Sequence, residues 1–286
     1  MKTNSIHWFK YAAPQNFYFL AGKILPWFQE LAALLMGVGL WISFFVAPVD
    51  AQQALPENTG PNASIVRIVT GKMTFRTISD GRVRGGEDFR LLVHPDGSRQ
   101  IFISKDFKAV NAQQSMMTRV DARFRPLETY ASYWTREGFK GSIYVTVSGN
   151  ELNAVAFGPR GRVETSLQVP GNISVVHHGE VMNGWYYWSE DAGSSAWQTS
   201  SVYVLNAAPR GDAQVAGFLT ESRFTRVGME KVTTPAGTFD AIHYRLEGGE
   251  ALDMWIAGED RLLVRQTDAR HDREYVLTEM TIEAAR

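Results

Sequence analysis

Residues 89–104 read FRLLVHPDGSRQIFIS, two short apolar runs on either side of His94-Pro95-Asp96-Gly97. Proline presets one turn dihedral and glycine accepts the positive φ of a tight reversal, so the stretch predicts a hairpin with strands over 89–93 and 100–104. The same texture runs on in both directions. Ile65, Ile68, Met73 and Phe75 alternate loosely over 65–78. Strands are expected at 143–147 and 152–157 around Gly149-Asn150, and at 163–169 after Gly158-Pro159-Arg160-Gly161. Further runs at 200–205, 214–224 and 229–233 precede a pair, 239–246 and 252–256, that meets across Gly248-Gly249. Strands at 262–266 and 274–282 end the series. Turn signals at such regular spacing predict an all-β domain over 65–286, an antiparallel curved sheet in the form of a half-barrel or barrel. Only 111–117 and 184–195 fit neither pattern cleanly, and no helix-period segment is long.

Composition is that of a folded chain: 44% hydrophobic and 21% charged residues suffice for a core of some size. Net charge is −1, with acids and bases interspersed and no basic block, which argues against nucleic acid as a partner. There is no cysteine, which excludes disulfides, thiolate metal sites and cysteine nucleophiles.

The first fifty residues are of another kind. From Leu31 to Val49 no side chain is charged, and nineteen residues at 1.5 Å each approach the thickness of a bilayer core. Lys2, Lys10 and Lys23 precede the run, and Asp50 and Glu57 follow it. By the positive-inside tendency the N-terminus stays cytoplasmic and the rest crosses. Residues 1–50 are therefore expected to be a cytoplasmic N-terminus and one transmembrane helix, and the Pro- and Gly-containing stretch 51–64 a linker. This places the β-domain in the periplasm, tethered to the inner membrane through 31–49. The competing expectation is a signal peptide cleaved near Ala51, which would leave a soluble periplasmic protein.

Two resemblances add to this. Trp8, Ala13-Pro14, Phe17-Tyr18, Leu25-Pro26-Trp27 and above all Ala47-Pro48-Val49-Asp50-Ala51-Gln52-Gln53 make residues 8–53 look like the start of the haem exporter protein C family. Those are inner-membrane permeases of bacterial cytochrome c maturation. The likeness implies an envelope address, cytochrome c maturation proteins as partners and the handling of haem; apart from it no cofactor is expected. Beyond residue 53 the family's further helices have no counterpart. In the C-terminal half, Thr234-Pro235-Ala236-Gly237-Thr238-Phe239, Met254-Trp255-Ile256-Ala257 and Arg261-Leu262-Leu263-Val264-Arg265 resemble uncharacterised bacterial periplasmic β-proteins, which implies a curved antiparallel sheet and no particular activity.

Catalytic fingerprints are missing: no G-x-S-x-G elbow, P-loop, H-E-x-x-H or dinucleotide motif occurs. No catalytic or metal-binding residue is named, and a non-enzymatic role is expected. The candidate ligand-binding residues are His177 and His178, together with Trp185, Tyr187 and Trp188 of the aromatic run 185–188. On a strand, adjacent histidines face opposite ways, but in a turn before Gly179 they would converge. Read as a strand, Trp185 and Tyr187 share one face and Tyr186 and Trp188 the other, so that one pair fills the core and the other lines a cavity. His243 reads as a satisfied sheet histidine, and His271 as part of a polar turn. The charges from Arg119 to Arg136 read as surface ion pairs around a turn at Pro126. The expected function is a tethered binding or assembly module for the cell envelope. The alternatives are haem delivery and a carrier for lipid or another hydrophobic small molecule.

Overall fold

A computed structural model of the chain describes residues 65–108, 111–159, 161–205, 217–247 and 252–284. The expected anchor at 31–49, the linker at 51–64 and the Gly248-Gly249 turn lie outside the described residues. Among the described residues no helix is long and apolar enough to cross a membrane.

The domain is all-β, as the turn spacing predicts. Eight strands come first: β1 (Arg67–Thr77), β2 (Val83–Val93), β3 (Arg99–Phe107), β4 (Ala112–Val120), β5 (Pro126–Thr135), β6 (Gly138–Ser148), β7 (Glu151–Gly158) and β8 (Gly161–Gln168). A short strand β9 (Ser174–Val176) leads into a 3-10 helix, Glu180–Tyr187. Six more strands complete the domain: β10 (Gln198–Leu205), β11 (Gly217–Thr234), β12 (Gly237–Glu247), β13 (Leu252–Ala257), β14 (Leu262–Asp268) and β15 (Arg273–Ala284).

All fifteen strands among the described residues belong to one sheet, in the order β8 to β1, then β15 down to β9. Two meanders are therefore joined where the last strand pairs with the first, from Arg67 opposite Ala284 to Thr77 opposite Arg273. Every pairing is antiparallel except that of β9 with β10. The two ends of the sheet are not hydrogen-bonded to each other, so the sheet is not closed into a barrel. It rolls up instead, and its ends meet through side chains. Ile143, Val145 and Leu152 of β6 and β7 share a core with Ile173, Val175 and Tyr203 from the β9–β10 end. Inward residues of β1–β4 and β11–β15 enclose a second, larger core around the 3-10 helix.

Two readings of the sequence need correcting, and a third shifts only in place. The run expected at 214–224, described from Gly217 on, and the run at 229–233 belong to one strand, β11, because a bulge between Arg226 and Gly228 absorbs the break in alternation. The turn expected at Pro126 lies just before it, at Asp121–Arg125, and Pro126 opens β5; the expected surface ion pair is present as Arg119–Glu128, 3.0 Å across the strands. The aromatic run 185–188 is not a strand. Trp185, Tyr186 and Tyr187 end the 3-10 helix, all three buried, and Trp188 caps it half-buried. With three residues per turn their side chains radiate in different directions, and the two-faced division does not arise.

Candidate functional site

The 3-10 helix plugs the rolled sheet. Eight residues is long for this helix type, whose hydrogen bonds are poor, and side chains from the sheet hold it in place. Glu87 of β2 caps its N-terminus, its carboxylate accepting from the backbone N–H of Glu180 (2.9 Å) and of Val181 (3.2 Å). Lys105 lies directly across from Glu87 on β3, and its ammonium reaches Glu87 Oε1 at 2.8 Å, Glu180 Oε1 at 3.1 Å and the His178 carbonyl at 2.6 Å. All three ammonium donors thus find acceptors. Burial works against the charged lysine, but the Glu180 and Glu87 carboxylates outweigh it and raise its pKa. Burial raises the pKa of Glu87, whereas Lys105 and the Asn183 amide hold that of Glu180 down in spite of burial.

At the other end of the plug, Arg261 donates to the carbonyls of Gly184 (3.0 Å) and Tyr187 (3.3 Å) and to Glu190 (3.1 Å). Trp185 Nε1 donates to the Asp260 carbonyl at 2.7 Å. The Tyr187 ring lies 4.5 Å from that of Phe224, and Trp188 Nε1 donates to the Ile173 carbonyl at 3.0 Å. These aromatic candidates therefore hold the plug to the sheet.

His177 is buried, and both ring nitrogens are engaged. Nδ1 accepts from the Gly179 backbone N–H (2.9 Å), which leaves Nε2 to donate to Thr118 Oγ1 (3.0 Å). The turn before Gly179 does form, but it uses the lone pair that a metal would need. Burial, followed by the charges of His178 and Lys105, lowers the His177 pKa to about 3. His178 keeps accessible surface, yet it sits in a recess with protein around it, and burial and then Lys105 lower its pKa too. Gln114, Tyr133 and Leu205 share the walls of that recess, a cavity of about 10 Å³, close to the room one water needs. Gln114 Oε1 is buried there without a protein partner.

The sign of the pH effect follows. His177 stays neutral in the folded protein and takes up a proton near pH 6.5 when unfolded, so its contribution is complete above pH 6.5 and is lost as pH falls towards 3. Over that window wild type is expected to lose about 1.4 kcal/mol per pH unit more than His177→Gln. Urea unfolding at pH 7, 5.5 and 4 measures the difference. Parallel curves for the two proteins would show that His177 titrates normally.

A second feature lies where β1, β15, β14 and the β13–β14 turn meet: a cleft of about 280 Å³. Its walls are apolar, with Val69, Phe239, Leu262, Val264, Met280 and Ile282, and Arg67, Glu259 and Asp260 line it as well. Arg67 binds both Asp260 carboxylate oxygens through Nη2 (2.7 and 2.8 Å) and pairs with Glu259 through Nη1. Arg99 holds Asp260 from behind at 2.9 Å. Arg67 Nε is buried and has no partner. A buried donor in that condition costs about 1–3 kcal/mol.

Two solved structures follow a similar chain path. One is a DUF1089-family protein from Pseudomonas aeruginosa, 11% identical, with a TM-score of 0.41 over 62% of this chain and 87% of that one. The other is a β-barrel-like protein of the domain of unknown function DUF1849 from Brucella abortus, 8% identical, with a TM-score of 0.43 over 78% and 99%. No family model matches the chain, and no curated protein does.

None of the residues of the ion cluster was singled out in the sequence, and of the cleft Phe239, Ala257, Leu262 and Val264 entered only through a resemblance of sheet strands. Lys105 and Glu87 carried a signal, since each stands at an inward position of an alternating strand. Arg67 and Asp260 carried none, because one begins a strand and the other sits in a turn. His243 is a satisfied sheet histidine, bridging Glu230 (2.8 Å) and Asp253 (2.7 Å).

Proposed function

We propose that this chain is a membrane-tethered, non-catalytic binding module of the bacterial envelope, and that it holds one acyl chain of a lipid or acylated molecule in the cleft beside Arg67. The apolar walls of the cleft, formed by Val69, Leu262, Val264, Met280 and Ile282, carry this reading. At about 280 Å³ the space falls just below the range of drug-sized ligands and suits a single hydrocarbon chain. Glu259 and Asp260 already match the charges of Arg67 and Arg99, which leaves no net positive charge to draw in a free carboxylate. An uncharged head group, an ester or amide, suits that balance of charge.

The charge-free run 31–49 supports the tether, and with it the inner membrane as a partner and the periplasm as the compartment. The occupied nitrogens of His177 favour a hydrophobic ligand over haem. The plug cluster is built for rigidity: its lysine is firmly protonated, and Tyr186 and Tyr187 are pushed by burial to pKa values above the ordinary phenol.

Native mass spectrometry of the full-length protein tests the reading. Wild type is expected to retain one dodecanoyl methyl ester per chain and to prefer it to dodecanoate. Ile282→Trp, which fills the cleft from an exposed position, is expected to abolish retention. Equal retention by wild type and variant would remove the cleft from consideration.

A further inference from the structure

The outer face of β3–β6 has an unusual order that only the register reveals. Phe102, Met117, Tyr130 and Tyr144 stand directly opposite one another on four successive strands. Two residues along, Ser104, Ser115, Ser132 and Ser142 form a parallel row. Two further along, Gln113 of β4 faces Trp134 of β5, and Trp134 packs edge-on against Phe139 of β6 at 5.1 Å. Phe102, Tyr130, Tyr144, Trp134 and Phe139 are each 37–47% exposed, whereas Ser132 between them is only 7% exposed. The rings are therefore walls, and the serines are a floor.

Same-face residues are about 6.8 Å apart along a strand and strands about 4.8 Å apart. The trough is thus roughly 13–14 Å from wall row to wall row and crosses four strands. The aromatic row and the serine row hold no charged residue across β3–β6. The nearest charges border these two rows: Asp106 of β3 stands in the second wall row opposite Gln113, and Arg119 and Glu128, paired at 3.0 Å, flank the aromatic row, where Glu128 accepts from the Tyr144 hydroxyl at 2.7 Å; on β2 and β8 follow Asp88, Arg90, Arg162 and Glu164. A nucleic acid, an anionic membrane surface or an acidic peptide would find no complementary charge here. A bare hydrocarbon surface would strand the serine hydroxyls. An occupant must be neutral and must offer both C–H faces for the rings and hydroxyls for the serines, which are donors and acceptors at once.

We infer that this trough binds a linear neutral glycan, with pyranose rings stacked on Tyr130, Tyr144 and Trp134 and hydroxyls hydrogen-bonded to Ser115 and Ser132. The site is on the outer face, away from the acyl cleft, and stands or falls separately from it.

The test is calorimetric titration of the full-length protein in lipid nanodiscs with a soluble neutral hexasaccharide, N-acetylchitohexaose, and with cellohexaose as a second probe. Binding of either is expected, weakened about tenfold or more in Trp134→Ala and in Tyr130→Ala. Ser115→Trp, which raises a ring from an exposed floor position, is expected to block it. All three positions leave the core untouched, and unchanged melting temperatures would confirm that the variants fold. No heat with either sugar at millimolar concentration, or the same affinity in all variants, would overturn the inference. So would self-association in sedimentation that Trp134→Ala abolishes, which would assign the face to a second copy of the chain.

Discussion

Gly184→Ala is expected to cost on the order of 4 kcal/mol, a large share of the roughly 5–15 kcal/mol that stabilises a typical domain. A Cβ at this position would lie 2.2 Å from the Arg261 carbonyl oxygen and 2.5 Å from Ile256 Cγ2. The first obstacle is backbone and cannot rotate away. Nor can the Arg261 segment retreat, because its guanidinium holds the plug carbonyls and Glu190 while its own φ is +51°. The plug would have to leave the sheet, and Trp185, Tyr186 and Tyr187 would lose their burial together. Thermal unfolding followed by near-ultraviolet circular dichroism measures this, since three buried aromatic rings report on the packing. A variant within about 1 kcal/mol of wild type would mean that the plug has slack the geometry denies.

Lys105→Met should be nearly as damaging, at about 3–5 kcal/mol, for an electrostatic reason. Methionine fills the space but leaves the carboxylates of Glu87 and Glu180 facing each other without a cation. The helix cap that Glu87 provides is then charged and uncompensated. The variant's deficit depends on pH in a direction that separates this cause from lost packing. Without the ammonium the two carboxyls have folded pKa values above their unfolded ones. Their protonated forms are tolerated at low pH, and the penalty grows as pH rises through the raised values. The gap between wild type and Lys105→Met is therefore expected to widen from pH 5 to pH 8 in denaturant melts. A gap independent of pH would point to packing alone. Glu87→Gln is expected to be milder, because Lys105 keeps Glu180.

Much of the fold was legible because it rests on local chemistry. Alternation and turn residues mark strands wherever one face is buried and the other wet, as in FRLLVHPDGSRQIFIS, which became β2, β3 and their turn. The plug was not legible. GWYYWS has the composition of a strand and none of the caps that announce a helix; its helical state is imposed by Glu87 and Arg261, which lie about 95 and 75 residues away. The site was legible only in part. His177 and His178 stood out as a pair, but the chemistry around them comes from Lys105, and lysine on a strand passes as a surface residue until its inward parity is noticed. The cleft and the trough depend on register: Val69 meets Ile282 across more than two hundred residues, and the serine row exists only once four strands are aligned. Composition holds no record of such alignments.

The most direct test of acyl binding is to map where an acyl group sits. The full-length protein in its membrane would be labelled with a dodecanoyl ester carrying a photoactivatable diazirine, and the modified peptides identified by mass spectrometry. Adducts are expected on β14 and β15 near Leu262, Val264, Met280 and Ile282, displaced by excess methyl ester and missing from Ile282→Trp. Adducts spread over the outer face, or unchanged in Ile282→Trp, would contradict it.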